Sequence, residues 1–194
     1  WLPLRRFISV KKTPVHKNKG CNRICFLAAD AVFVVLLLIL DQFTKHLAIV
    51  HLKNNPPLVL IKGVLELQYL ENRGSAFGIL QGQKAFLLLT GIVFMAVLLG
   101  ILSRVPAEKK FLPVHICLAA IVAGGFGNIW DRFRFDYVVD FISFVLIHFP
   151  VFNAADCYIV VAAIGLFILF LFVFRDEDLE FLNFRQKDQK KTEQ

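Results

Sequence analysis

The chain has 194 residues, of which 57% are hydrophobic, and its mean hydropathy is +0.64. This composition is too apolar for an ordinary soluble domain of that length and indicates an integral membrane protein. The net charge of +7 comes from a basic tail without a folded reading element, which argues against nucleic-acid binding. The four cysteines lie in that tail and in apolar segments, so they predict neither a disulfide framework nor a zinc site.

The basic charge is concentrated at the N-terminus. Residues 1–23 contain seven Lys or Arg side chains and no acid. Because Lys and Arg are retained on the cytoplasmic side of membrane spans, we predict that this segment is a basic cytoplasmic tail. No small-residue cleavage site follows the first apolar segment, which is therefore expected to be an uncleaved anchor. The chain starts at Trp1 rather than Met, which suggests a truncated or shifted start.

Four apolar segments predict four membrane spans. They cover residues 26–50, 85–103, 111–130 and 157–174. The last three run for roughly 18 to 20 residues without a charge, which is enough for a helix to cross a bilayer. We therefore predict a mainly α protein, a polytopic membrane four-helix bundle, with one membrane domain over residues 24–174.

The charges between the spans predict the orientation. The basic loop at residues 104–110 and the charged C-terminal tail at residues 175–194 are expected in the cytoplasm, together with the N-terminal tail. Residues 52–84 and 131–150 then face outward. Both termini are therefore predicted to be cytoplasmic.

The first span carries an acid and a base inside the membrane. Asp41 and Lys45 are four residues apart with the acid first, which is the favourable order for an ion pair on one helix face. Structural pairing is the simpler interpretation. Since charges within a membrane are costly, we also consider a role in positioning a substrate backbone or a lipid head group.

The segment between the first two spans predicts a β-containing insertion over about residues 52–84. Residues 54–57 form a polar, proline-containing break that ends the first span. Apolar and polar residues alternate over residues 64–69, which predicts a half-buried strand followed by a turn at residues 72–75. A small extracytoplasmic β-sheet cap is therefore expected over the helix bundle.

Polar residues recur on one face of the third span. Gly124, Asn128 and Arg132 are spaced by four and therefore share a helix face. Packing explains the glycine and the asparagine, because small residues allow close approach and an amide can bond to the next helix. Packing explains Arg132 less well, since its planar guanidinium favours a carboxylate or phosphate partner.

Four aspartates lie near the ends of the third and fourth spans. Residue chemistry does not select among Asp131, Asp136 and Asp140, and the first two fit solvated surface acids. Asp140 lies in an apolar run, which tends to raise the pKa of a carboxyl group. Asp156 has a structural explanation, because Asn153 would form a helix N-cap with this acid at position N3. The two roles are compatible, since a capped helix end is a rigid mount.

Asp140 and Asp156 flank a short connection between the third and fourth spans and should lie at one membrane depth. Two close carboxyl groups cannot both ionise cheaply, so a shared proton would allow acid and base catalysis together. One alternative is a small proton-coupled membrane transporter, although the second and fourth spans offer few polar groups for a path. Another is a noncatalytic membrane assembly factor whose acids only cap and pair helices.

Five motifs follow one another across the hydrophobic part of the chain. They are Asp41-x3-Lys45, Asn72-Arg73-Gly74-Ser75-Ala76-Phe77, Gly127-Asn128-Ile129-Trp130-Asp131-Arg132, Val138-Val139-Asp140-Phe141 and Phe152-Asn153-Ala154-Ala155-Asp156. In order and in placement relative to the four spans, they resemble the bacterial lipoprotein signal peptidase family, also called signal peptidase II.

The resemblance implies an aspartic intramembrane endopeptidase of the bacterial cytoplasmic (inner) membrane, with its active site at the extracytoplasmic face. Such an enzyme removes the signal peptide of prolipoproteins by cutting before a cysteine that carries a diacylglyceryl group. The expected partners are membrane lipid and the lipid-modified substrate, with no nucleic acid, no metal and no cofactor, and we expect a monomer.

The resemblance also implies roles for individual residues. It assigns the catalytic dyad to Asp140 and Asp156. The residues expected to support the dyad or the substrate are Asn128, Arg132, Asn153, Asn72, Gly74, Ala76, Phe77, Asp41 and Lys45. This chain departs from the family at Asp136, where glycine is common. The loop conformation there stays open, and an additional negative charge nearby would raise the pKa of the dyad.

Overall fold

Four helices form the apolar body of the protein. The computed structural model describes residues 19–74, 80, 82–175 and 178, with side chains from Arg23 onward. The helices are α1 (Lys19–Leu52), α2 (Lys84–Leu102), α3 (Leu112–Phe135) and α4 (Ala154–Phe172), and all four are long and apolar enough to cross a membrane. The predicted four-span organisation is therefore confirmed. The helix ends differ from the predicted ones by one to seven residues, and α3 extends far enough to include Arg132.

The third membrane helix is the centre of the bundle. In α3, 56% of the most apolar stretch is buried, against 11% in α1 and α4 and 17% in α2. Helix α3 packs against the other three helices. Gly124 permits the close packing of α4, because a Cβ atom at this position would lie 2.6 Å from the carbonyl oxygen of Ala155. The predicted packing role of this glycine is confirmed.

A small antiparallel sheet completes the fold. It contains β1 (Leu58–Ile61), β2 (Leu65–Asn72) and β3 (Val138–Phe144) in the order β1-β2-β3. The strand predicted at residues 64–69 is confirmed as part of β2. The sheet packs on the C-terminal end of α1, where Ala48 and Leu52 contact Val139 and Phe141.

The connection between β3 and α4 brings two distant segments to one place. After β3 the chain makes a short 3-10 turn at Val145–Ile147 and returns along the strand, so that the N–H of Phe152 donates to the carbonyl of Ile142 at 3.0 Å. Helix α4 then starts beside the middle of β3. On the other side of β3, the register pairs Leu70 with Asp140 and Asn72 with Val138. The start of α4 and the end of β2 therefore both face Asp140.

Candidate active site

Asp140 is buried in the middle of β3 with 1% of its surface exposed. The Asn72 side-chain amide donates to its Oδ2 at 2.8 Å, and the Asn153 amide donates to its Oδ1 at 2.6 Å. Burial raises the pKa of Asp140 to about 6. The neighbouring charge of Asp156 acts in the same direction, whereas the two hydrogen bonds and the charge of Lys45 oppose it. This carboxyl group is therefore able to hold a proton close to neutral pH.

Asp156 lies in the first turn of α4 and is held by a capping box. The Asn153 Oδ1 accepts the N–H of Asp156, and the Asp156 Oδ2 accepts the N–H of Asn153, both at 3.1 Å. The predicted N-cap is confirmed. Because Asn153 also donates to Asp140, a single residue contacts both carboxylates and fixes the start of α4 against β3.

Asn128 and Arg132 reach the two acids from α3. The Asn128 amide donates to Asp156 Oδ1 at 2.9 Å. The Arg132 guanidinium interacts electrostatically with both acids, but it donates its hydrogen bonds to the carbonyls of Gly74, at 2.8 Å, and Asn128, at 3.4 Å. Its buried Nε has no partner among the described residues. The carboxylate or phosphate partner predicted for Arg132 is therefore replaced by backbone carbonyls.

The outer motif is linked to the same group of residues. Asn72 accepts the N–H of Gly74 with Oδ1 at 3.0 Å, which orients its amide nitrogen toward Asp140. Gly74 in turn accepts from Arg132. Ala76 and Phe77, which were also predicted to belong to the site, lie outside the described residues.

The charged pair of α1 lies directly behind the two acids. Asp41 and Lys45 form the predicted ion pair, with 3.0 Å between Nζ and Oδ2, and both side chains are buried. Lys45 also contacts Asp131 at 3.0 Å. The interpretation of Asp131 as a solvated surface acid is wrong, because only 1% of this residue is exposed. Its position four residues after Gly127 on the buried face of α3 was the available signal.

A cavity of about 1110 Å³ opens beside the acid pair. Its polar wall contains Asn72, Asn128, Arg132, Asp140 and Asp156, and its apolar wall comes from β2, the turn after β3 and the first two turns of α4. Val160 and Val161 of that wall are exposed on the surface of α4. The cavity can therefore hold an apolar chain with a polar group at the carboxylates. Among the described residues, no three His, Cys, Asp or Glu side chains converge as metal ligands.

Asp136 ends α3 in a left-handed conformation with φ of 68°. Glycine adopts this conformation without strain, and aspartate tolerates it better than most residues, which explains the two residue types at this position. The Asp136 carboxylate is 63% exposed and pairs with Lys84 at the surface. The negative charge of Asp136, which was expected to act on the dyad, is therefore paired with Lys84 at the surface instead.

These features define a class of protein: a polytopic membrane protein with two interacting carboxyl groups in the wall of a large cavity near one end of its bundle. Residues 33–173 match the family model described as "Signal peptidase (SPase) II". The chain is 38% identical over 151 residues to a lipoprotein signal peptidase of Streptococcus thermophilus, which covers 77% of this chain and 95% of that protein. It is 42% identical over 142 residues to the lipoprotein signal peptidase of Caldanaerobacter subterraneus subsp. tengcongensis, covering 73% and 94%.

The fold is similar to that of a bacterial membrane enzyme determined by the in meso method at 2.3 Å resolution. The TM-score is 0.66 with 26% sequence identity, over 84% of this chain and 94% of that one. This chain belongs to the signal peptidase II family. Neither the transporter nor the assembly factor is favoured by these similarities.

Proposed function

We propose that this protein removes signal peptides from prolipoproteins as an aspartic endopeptidase, with Asp140 and Asp156 as its catalytic dyad. One observation carries the assignment of the dyad: Asn153 contacts both carboxylates in the wall of one cavity. The relatives are lipoprotein signal peptidases by name, and we extend that substrate class to this chain.

The proposed mechanism uses one proton shared by the two acids. The ionised carboxylate accepts a proton from a water molecule, whose oxygen attacks the scissile carbonyl carbon, while the protonated carboxyl donates a hydrogen bond to the carbonyl oxygen. The tetrahedral intermediate then collapses, the C–N bond breaks, and the leaving nitrogen takes a proton from the dyad. Because the two groups are coupled, the proton belongs to the pair rather than to one residue.

Arg132 is proposed to bind the substrate backbone. Arg132 lines the cavity, and its buried Nε has no partner among the described residues, so a substrate carbonyl could accept from this guanidinium. Two other N–H groups of the same guanidinium are held by the carbonyls of Gly74 and Asn128, which fixes its plane. The charges of Asp140 and Asp156 both act on Arg132, so a carbonyl bound by this guanidinium would lie near the dyad.

The proposed substrate carries a diacylglyceryl-modified cysteine next to the cleaved bond. The apolar wall of the cavity continues onto the exposed surface of α4 at Val160 and Val161, which suits acyl chains that remain in the bilayer. Holding the substrate by these chains keeps the scissile bond at the depth of the dyad and reduces the search to two dimensions.

The same proposal includes an orientation. The basic loop that contains Arg104, Lys109 and Lys110 favours a cytoplasmic location for the end of the bundle opposite the dyad. Both termini would then be cytoplasmic, and the acid pair would face the outside of the bacterial inner membrane. We propose that the protein acts there as a monomer.

The proposal is tested with purified protein and a diacylglyceryl-modified precursor. Asp140→Asn and Asp156→Asn should each reduce cleavage by at least ~10³-fold, because the single remaining carboxyl group cannot provide the base and the acid at the same time. Asp136→Asn, a nearby surface acid, is the matched control and should cleave normally. Retained cleavage in both dyad variants would exclude this mechanism, and equal cleavage of an unmodified precursor would exclude the role of the lipid.

A further inference from the structure

All three N–H donors of the Lys45 ammonium have partners in the interior between α1 and α3. The side chain is 3% exposed. It donates to Asp41 Oδ2, Asp131 Oδ2 and Asn128 Oδ1, each at 3.0 Å. An ammonium group has three donors, so none remains for a substrate. Each of these three contacts continues to the acid pair by a separate route.

The first route runs through Asp41 to the start of α4. Asp41 is fully buried, and its Oδ1 accepts the backbone N–H of Ala155 at 3.2 Å. Ala155 is buried and immediately precedes Asp156. The backbone of α3 leaves just enough room for this carboxylate, because a Cβ atom at Gly127 would overlap its Oδ2. Asp41 therefore fixes the first turn of α4 relative to α1.

The second route runs through Asp131 to the middle of β3. Asp131 Oδ2 accepts the backbone N–H of Val139 at 3.2 Å, and Val139 immediately precedes Asp140. The amide of Gln42 donates to both carboxylates, at 3.1 Å to Asp41 and 2.9 Å to Asp131. The two acids behind the dyad are thus held to one ammonium and one amide, and each acid holds the residue before one catalytic acid.

The third route is a side-chain relay. Lys45 donates to the oxygen of the Asn128 side chain, and the amide nitrogen of Asn128 then donates to Asp156 Oδ1 at 2.9 Å. Without the ammonium, the Asn128 oxygen would keep only the longer contact from the Asn153 amide, at 3.3 Å. The three routes reach the backbone before Asp140, the backbone before Asp156, and the Asp156 carboxylate itself.

We propose that Lys45 is a positioning residue that sets the relative placement of the two catalytic acids, through Asp41, Asp131 and Asn128. This inference rests on the proposed function and concerns how its dyad is assembled. Lys45 does not touch the substrate in this arrangement, so it should affect kcat and leave KM almost unchanged. The charged groups around the dyad are Asp41 and Lys45 from α1, and Asp131 and Arg132 from α3.

The test compares Lys45→Met with Lys53→Met in the full-length protein. Methionine keeps most of the apolar length of Lys45 but has neither charge nor donors, and we expect kcat to fall by about 100-fold with KM changed by less than about threefold. The alkaline limb of the kcat profile should move to higher pH, because the ammonium favours the ionised form of Asp140. Lys53 lies just after α1, is 40% exposed and pairs with Glu71, so its variant should keep kcat within about twofold.

A second variant separates positioning from charge balance. Lys45→Met combined with Asp131→Asn removes one negative charge together with the positive one, which should restore accumulation and thermal stability while kcat stays low. Four outcomes would overturn the proposal: a wild-type kcat in folded Lys45→Met, a raised KM at unchanged kcat, a wild-type kcat in the double variant, or failure of both variants to fold. Cleavage by the wild type and its loss in Asp140→Asn establish the proposed function independently of these results.

Discussion

Each end of α3 has a buried carboxylate paired with a basic side chain, His115 at the N-terminal end and Lys45 at the C-terminal end, and the two pairs have different roles. At the N-terminal end, Asp30 Oδ2 lies 2.7 Å from His115 Nδ1, and His115 Nε2 lies 3.4 Å from the carbonyl of Pro106. At the C-terminal end, the Asp41, Lys45 and Asp131 group continues to Asp140 and Asp156. Asp140 and Asp156 line the cavity, whereas Asp30 and His115 do not.

The difference shows that a buried charge does not by itself mark an active site. Asp30 and His115 satisfy each other, so their pairing holds α1 against α3. Asp140 instead faces a second carboxyl group, and burial and that neighbour both disfavour its ionised form. An active site is indicated where two carboxyl groups lie close together in the wall of a cavity, although their repulsion lowers the stability of the fold.

Among the residues that hold the dyad, Asn153 should give one of the largest effects, because it contacts both acids. Asn153→Ser keeps a good N-cap but removes the amide that donates to Asp140. We expect kcat to fall by about 10²-fold with less than about 0.5 kcal/mol lost in unfolding free energy. Asn153→Ala removes the cap as well and should cost about 1 kcal/mol more, measured by thermal unfolding in detergent. A fully active Asn153→Ser protein would show that the donated hydrogen bond has no catalytic role.

The opposite end should respond in stability only. Asp30→Asn removes the charge next to buried His115, and we expect a loss of about 2 kcal/mol in unfolding free energy with kcat unchanged at a temperature where the variant is folded. Asp136→Asn, at an exposed acid, is the control and should lose less than about 0.5 kcal/mol. A tenfold drop in kcat in folded Asp30→Asn would remove the distinction between the two ends.

Substitution of Asp140 should raise the stability of the protein, in contrast to substitution of Asp30, because the pKa of Asp140 is raised from 3.8 to about 6. The folded state then binds the proton more tightly than the unfolded chain, so stability falls as pH rises through this interval, by roughly 3 kcal/mol at most. The unfolding free energy of Asp140→Asn should therefore exceed that of the wild type by about 1 kcal/mol at pH about 8 and should equal it at pH about 4. The gain is smaller than the full pH effect because the new amide meets the donors of Asn72 and Asn153. If Asp140→Asn and the wild type had equal unfolding temperatures at both pH values, this prediction would be contradicted.

The wild-type rate should follow the same titration. Cleavage requires the shared proton, which Asp140 loses as pH rises through about 6, so kcat should decline above that pH. At low pH, uptake of a second proton by the pair should remove the base, lower the rate again and give a bell-shaped profile. A flat profile in a pH series on the purified enzyme would contradict the shared proton.

The smallest effect is expected at the end of α3. Asp136→Gly relieves the left-handed conformation but removes the exposed contact with Lys84, and these two changes are each worth about 1 kcal/mol or less. The variant should differ from wild type by less than about 1 kcal/mol in thermal unfolding and should keep its kcat. A large loss of activity would show that this turn acts on the dyad directly.

Much of this arrangement could be predicted where the signal is local. The spans follow from uninterrupted apolar runs, and the cap of α4 follows from Asn153 and Asp156 at the correct spacing. Strand β2 shows alternation, whereas the first four residues of β3 are all buried and show none. An apolar run of that kind does not distinguish a strand from a helix, which is why β3 was not predicted.

The network behind the dyad could not be predicted because it depends on how helices meet. Lys45 and Asn128 are 83 residues apart, and Asp41 and Ala155 are 114 residues apart. The spacing of Asp131 from Gly127 indicates burial, but it does not indicate that the carboxylate accepts a backbone N–H of β3. The resemblance to a family identified the participating residues, but the contacts among them required the fold.

All four oxygens of the acid pair accept an N–H group: Asp140 from Asn72 and Asn153, and Asp156 from Asn128 and Asn153. Neither side chain can swing toward an incoming ligand without losing one of these bonds. An inhibitor that places a rigid tetrahedral hydroxyl between the carboxyl groups should therefore bind without reorganisation of the protein, whereas a compound that requires either acid to rotate should bind weakly. The affinity of an inhibitor should therefore depend mainly on whether its free conformation already matches the fixed positions of the two carboxyl groups.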